Sequence, residues 1–165
     1  MKKSIFAVLI VSWMIFIFSM SSQTSEVSSN TSGETIKVVL SIIPKFSEQP
    51  EEVKENMVED LQFITRKSAH FIGYMILGIL SMLLFLQYDE VNKKPQFAFL
   101  ISAIYAICDE IHQLFVPGRA GQVRDVLIDS SGSLVGILIV LLFIKLLKMK
   151  KTKIKRLKYN GKARI

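Results

Sequence analysis

Cys108–Gly136, CDEIHQLFVPGRAGQVRDVLIDSSGSLVG, is the stretch that decides how the chain is read. Two apolar segments of bilayer-spanning length meet within it at Pro117-Gly118. Asp109, Glu110 and His112 lie in the first segment and Asp129 in the second. A charged side chain at the centre of a membrane helix costs about 2.5–3.5 kcal/mol on insertion scales, so such groups face a protein interior or a wet cavity. Titratable groups gathered around one turn therefore mark a candidate site.

Outward from this turn the chain of 165 residues is 50% hydrophobic, and its apolar residues fall in long runs rather than being spread. Four runs approach or reach the ~20 residues that cross a hydrocarbon layer: Ser4–Met20, Ser68–Gln87, Phe97–Val116 and Val126–Leu147. The expected fold is an all-α integral membrane protein with four transmembrane helices. Residues 1–147 form its membrane domain, and 148–165 a basic tail. A cleaved signal peptide competes for the first run, which follows Lys2-Lys3 and ends in small polar residues.

The net charge of +7 does not point to nucleic acid, because ten Lys/Arg lie between Lys145 and Arg164 with no acid among them. Such a cluster beyond a membrane helix reads as a cytoplasmic anchor on anionic lipid. Four spans leave fourteen Lys/Arg on the side holding both termini and the turn at 89–96, against seven on the other. The positive-inside rule then puts both termini in the cytoplasm of a multi-pass protein. Cys108, the only cysteine, excludes an intrachain disulfide and reads as a buried helical residue.

The hydrophilic segment 21–67 is the outer loop. Its SSQTSEVSSNTSGET start reads as mobile, and Ile36–Phe46 as apolar enough to lie on the membrane. Pro50 suits a helix start, with Glu51 and Glu52 complementing the macrodipole. Val53, Met57, Leu61 and Ile64 recur at helical spacing, so an interfacial helix is expected before the second span.

The second span opens with Arg66-Lys67-Ser68-Ala69-His70 and reaches Tyr74, and the spacing puts Arg66, His70 and Tyr74 on one helix face. Gln113 is four residues from Asp109 and three from Glu110, so it can join either carboxylate. Asp125 and Asp129 also share a face, and Gly132 with Gly136 allows close approach of another helix, including one from a second copy. At helical rise, Asp109 and Glu110 lie roughly 10 Å, and Asp129 about 5 Å, inside the outer boundary. Arg119 and Arg124 occupy the turn above them.

These residues carry a resemblance. Arg66-Lys67-Ser68-Ala69-His70-Phe71 with Tyr74, Asp109-Glu110 with Gln113 and Phe115, Pro117-Gly118-Arg119, Asp125, Asp129, Gly132 and Gly136 are similar to the VanZ-like family, the teicoplanin-resistance group of small bacterial membrane proteins. Trp13 and Ser21-Ser22-Gln23 resemble the end of that family's first span. The resemblance implies a cell-envelope protein of the bacterial cytoplasmic membrane, linked to glycopeptide susceptibility; it supplies no mechanism.

Three mechanisms fit the residues. In the first, Arg66, Lys67, Arg119 and Arg124 grip the phosphate of a membrane lipid or cell-wall precursor. Tyr74, Asp109, Gln113 and Asp125 complete that headgroup site. In the second, His70 is a general base and Glu110 with Asp129 the carboxylate pair of an outer-leaflet hydrolase or transferase. In the third, acids and bases neutralise one another as a scaffold. No cofactor is expected; a metal site from His70 with Asp/Glu stays open as a minor alternative, although its spacing matches no ligand motif. The first two readings need an open cavity; the scaffold requires closed pairs.

Overall fold

The computed structural model describes residues 2–162, with side chains described up to Lys153 except at Lys2 and Ser47. The basic tail's last residues, 163–165, lie outside the described residues. Six helices follow in order: α1 (Lys2–Ser21), α2 (Ser25–Ser41), α3 (Pro44–Ser47), α4 (Glu51–Phe85), α5 (Lys94–Gln113) and α6 (Val123–Lys162). The described residues contain no strand. Three helical stretches are long and apolar enough to cross a membrane: Lys3–Ser21, Glu51–Phe85 and Val123–Lys153. The 20-residue α5 matches a bilayer in length, but Lys94, Asp109 and Glu110 lower its apolar character.

Side-chain contacts fix how α1, α4, α5 and α6 run. Lys3 Nζ sits over the Tyr88 ring, just past the end of α4, while Trp13 Nε1 donates to Gly73 O at 2.8 Å. Phe85 stacks with Phe97 at one end of α5, and Tyr74 with Tyr105 nearer the other. Thus α1 and α5 run one way, and α4 and α6 the other. Lys3, Lys93 and Lys94 share one end, and Arg66, Lys67, Arg119 and Asp125 the other.

Small residues set the closest packing. A Cβ at Gly132 would lie 2.3 Å from Phe71 O, and one at Gly136 only 2.1 Å from Met75 O. Gly78 meets Ser133 in the same way, at 2.3 Å from its carbonyl oxygen. The glycine pair is therefore occupied by α4 of its own chain. Around this seam, Tyr74, Leu77 and Ala106 are fully buried with Ile10 and Ile17 of α1, and Met82, Ala98, Ile137 and Val140 form a second cluster.

Four expectations need correction. The Ser/Thr-rich segment expected to be mobile is helix α2. Thr24 caps it, and Thr31, Ser32 and Thr35 donate to carbonyls one turn back. Ile36 then packs with Phe46 and Val58, burial that rewards the ordering. The expected interfacial helix is not a separate element: it is the first part of α4, because neither Gly nor Pro interrupts residues 51–72. Its stripe points outward at Val53, Met57 and Ile64, while Val58 and Leu61 pack onto the α2–α3 region. Cys108, expected to be buried, is exposed on the outer face of α5. The tail, expected from residue 148, continues α6 without a break up to Lys162.

Candidate functional site

The site is built where the ends of α1 and α5 and the start of α6 meet the middle of α4 beside the loop at 114–122. Gly118 takes a φ of 72°, the left-handed region that a side chain disfavours. Gly121 lies so close to α5 that a Cβ would approach Glu110 O to 2.3 Å. These two glycines fold the loop back over the end of α5. Gln122 N then donates to Glu110 Oε2 at 2.9 Å, and Gln113 Nε2 donates to Glu110 Oε1 at 3.1 Å. Glu110 is thus held by two donors on two sides.

Asp109 is fixed from α1, where Ser21 Oγ donates to its Oδ2 at 2.7 Å; its Oδ1 is buried without a partner. Asp129 on α6 is fully buried. Neither of its oxygens accepts a hydrogen bond, and Oδ2 lies 3.6 Å from His70 Nδ1 on α4. One donor atom from each of His70, Asp109, Glu110 and Asp129 lies within 4.8 Å of the others. The Tyr74 hydroxyl, one turn along α4 from His70, is also buried and unpartnered. Sequence named these four residues but showed no ligand motif, because they come from α4, α5 and α6 and only Asp109 and Glu110 are close in sequence.

Two clefts open beside the cluster. One, of about 290 Å³, runs between α1, α2 and α4, with Phe16, Ile17 and Met20 on its apolar side and Arg66, His70 and Arg119 on its polar side. The other, of about 250 Å³, is lined by Arg66, Lys67, His70, Gln113, Arg119 and Asp125. Arg66, His70 and Arg119 line both.

The cations divide into two kinds. Lys67 is ion-paired to Asp125, a closed pair between α4 and α6. Arg66 has no hydrogen-bond or ion-pair partner among the described residues, and Arg119 spends only its Nε, on Gln23 O at 3.1 Å. Burial lowers the Arg119 pKa from its ordinary value, and the charge of Arg66 is the next cause. Two like charges beside one opening favour an anion between them.

Arg124 is not brought to this opening; it lies over the Phe63 ring and lines a separate outer cleft with Ile64 and Lys67. His112 turns away to Ser22 Oγ, at 3.0 Å, and to the Phe18 ring. Of the three residues suggested for catalysis, His70 lines the clefts, whereas Glu110 and Asp129 are 4% and 0% exposed. Ser21, Gln23 and the Ser32 and Thr35 lining were not named as site residues from sequence. Their signal was the polar run just after an apolar span, which reads as an ordinary loop.

The family model described as VanZ/LLP1 matches residues 6–144, and so takes in all four helices that meet at the site. No curated protein and no solved structure matches the chain.

Proposed function

Because the chain belongs to the VanZ/LLP1 family and carries helices apolar enough to cross a bilayer, it is a membrane protein of VanZ type, and we propose that it binds the phosphate-bearing headgroup of an envelope lipid or lipid-linked precursor. The observation that carries this reading is the pair Arg66 and Arg119, unmatched by any acid among the described residues and lining a cleft that also carries the apolar side chains Phe16, Ile17 and Met20. An anion at the guanidiniums and an acyl chain along Phe16, Ile17 and Met20 suit that division. In this reading α5 also crosses the membrane, as the third of four spans, both termini face the cytoplasm, and the clefts open to the outer leaflet of a bacterial cytoplasmic membrane. Lowered susceptibility to glycopeptides such as teicoplanin would follow from holding a precursor those drugs bind.

Native mass spectrometry of the detergent-purified full chain with phosphatidylglycerol and with phosphatidylcholine tests the binding. The expected result is retention of the anionic lipid, with at least a tenfold loss in an Arg66→Gln/Arg119→Gln double variant. Equal retention of both lipids, or no loss in the variant, would overturn it.

The second reading is an outer-leaflet enzyme using His70, Glu110 and Asp129. Its support is that His70 lines both clefts while standing 3.6 Å from Asp129. Lipid and cell-wall-precursor extracts from cells with and without the protein separate the two. A changed envelope molecule favours chemistry; unchanged molecules with altered drug susceptibility favour binding.

A further inference from the structure

We propose that His70, Asp109, Glu110 and Asp129 form a site for one divalent first-row cation of the Mn²⁺ or Zn²⁺ kind. The proposal concerns the core of the bundle and stands whether or not the neighbouring clefts take a lipid.

Geometry is the first support. Metal–nitrogen and metal–oxygen bonds of about 2.0–2.2 Å put the donors of a tetrahedral ion ~3.4 Å apart. The four donor atoms here already lie within 4.8 Å of one another. Side-chain shifts of about 0.7 Å by each of the two most distant donors would close the difference. One imidazole with three carboxylates suits Mn²⁺ and Zn²⁺ better than a soft ion such as Cu(I), and the imidazole sets it apart from the all-oxygen sites of Ca²⁺.

Electrostatics is the second. Three carboxylates are gathered in the interior, at 2%, 4% and 0% exposure for Asp109, Glu110 and Asp129. The nearest imidazole offers at most one positive charge, and Lys67 is already paired to Asp125. Buried charges are ordinarily paired or coordinate a metal, and a divalent ion held by the neutral imidazole would offset two of the three carboxylate charges.

The unused valences are the third and independent support. Asp109 Oδ1 and both Asp129 oxygens are buried without hydrogen bonds, as is the Tyr74 hydroxyl beside them. The partners that do exist hold ligands in place rather than occupying them. Ser21 donates to Asp109 Oδ2 and leaves Oδ1 unpartnered, and Gln113 and Gln122 N brace Glu110 with one hydrogen bond to each of its oxygens. That is the arrangement of outer partners around metal ligands. His70, reaching both clefts, gives the ion its route from solvent.

The test uses the full chain, without a polyhistidine tag, in detergent or nanodiscs after chelator treatment. Mn²⁺ and Zn²⁺ are titrated separately. Metal content is read by elemental analysis after gel filtration, Mn²⁺ binding by electron paramagnetic resonance, and folding by thermal melting. We expect one ion per chain, a melting temperature that rises with metal and falls again with chelator, and at least tenfold weaker binding in Asp109→Asn and His70→Gln. Glu90→Gln, at the opposite end of the bundle, should bind as the parent does. If Asp129→Asn does not fold, the parent's stoichiometry and the two other variants still decide. No ion retained by the parent, or equal binding by Asp109→Asn and His70→Gln, would overturn the proposal and leave a cluster neutralised by shared protons.

Discussion

Lys67 is bonded to Asp125 across the α4–α6 seam, whereas Arg66, the residue before it, has no acidic partner among the described residues. Adjacent cations in one helix thus face different tasks: one closes the bundle, the other is left open beside a cleft. Asp125→Asn should therefore lower stability on the order of 1–3 kcal/mol, the pair being partly exposed. Arg66→Gln should leave the melting temperature nearly unchanged and weaken anionic-lipid binding. Thermal melting of both variants in detergent checks this; a larger stability loss for Arg66→Gln would move that residue into the scaffold.

Helix contact through glycine makes a second expectation. At Gly136 a Cβ would sit 2.1 Å from Met75 O, a backbone atom that cannot swing aside. Overpacking of this kind costs typically 1–3 kcal/mol, so Gly136→Ala should lower the melting temperature measurably. At Gly73 the nearest atom to a new Cβ is in the Ile17 side chain at 3.8 Å, so Gly73→Ala should be tolerated. Equal effects at the two positions would show that the close approach at the seam is not what limits packing.

Topology gives a third. A reporter active only outside the cytoplasm should give signal when fused after residue 40 and none after residue 160. Signal from the second fusion would reverse the orientation and put the clefts on the cytoplasmic side.

The basic end of α6 gives a fourth. Ten Lys/Arg from Lys145 onward attract anionic lipid through charge rather than through a shaped site. Removing residues 150–165 should leave membrane insertion and drug susceptibility mostly as they were, judged by blotting membranes and by growth assays. Lost function at normal protein level would mean that the tail has a specific partner.

Much of the site was legible as a list of residues. Four-residue spacing put Arg66, His70 and Tyr74 on one face, and all three line the same cleft. The offset of three from Glu110 to Gln113 became a hydrogen bond. The glycine pair announced a close helix neighbour, though its identity as α4 was not readable. What escaped notice was α2, because local Ser/Thr composition argues against a helix until Val58 offers Ile36 a surface to bury. Arg124 shows the opposite failure. It is close to Asp125 in sequence, yet successive helical residues point about 100° apart, and it faces Phe63 instead of the clefts.

By itself the sequence determined the helical, membrane-type character of the chain and which residues are out of place in it. Both follow from local physics: runs of apolar residues must leave water, and buried acids require a reason. Only the tertiary structure decided which acid meets which base. Lys67 could have joined any of four carboxylates, but the Gly132 and Gly136 contacts set α6 against α4 in the register that pairs Lys67 with Asp125 and His70 with Asp129. That register depends on backbone atoms approaching across two helices, a relation between distant segments that no periodicity within either one contains.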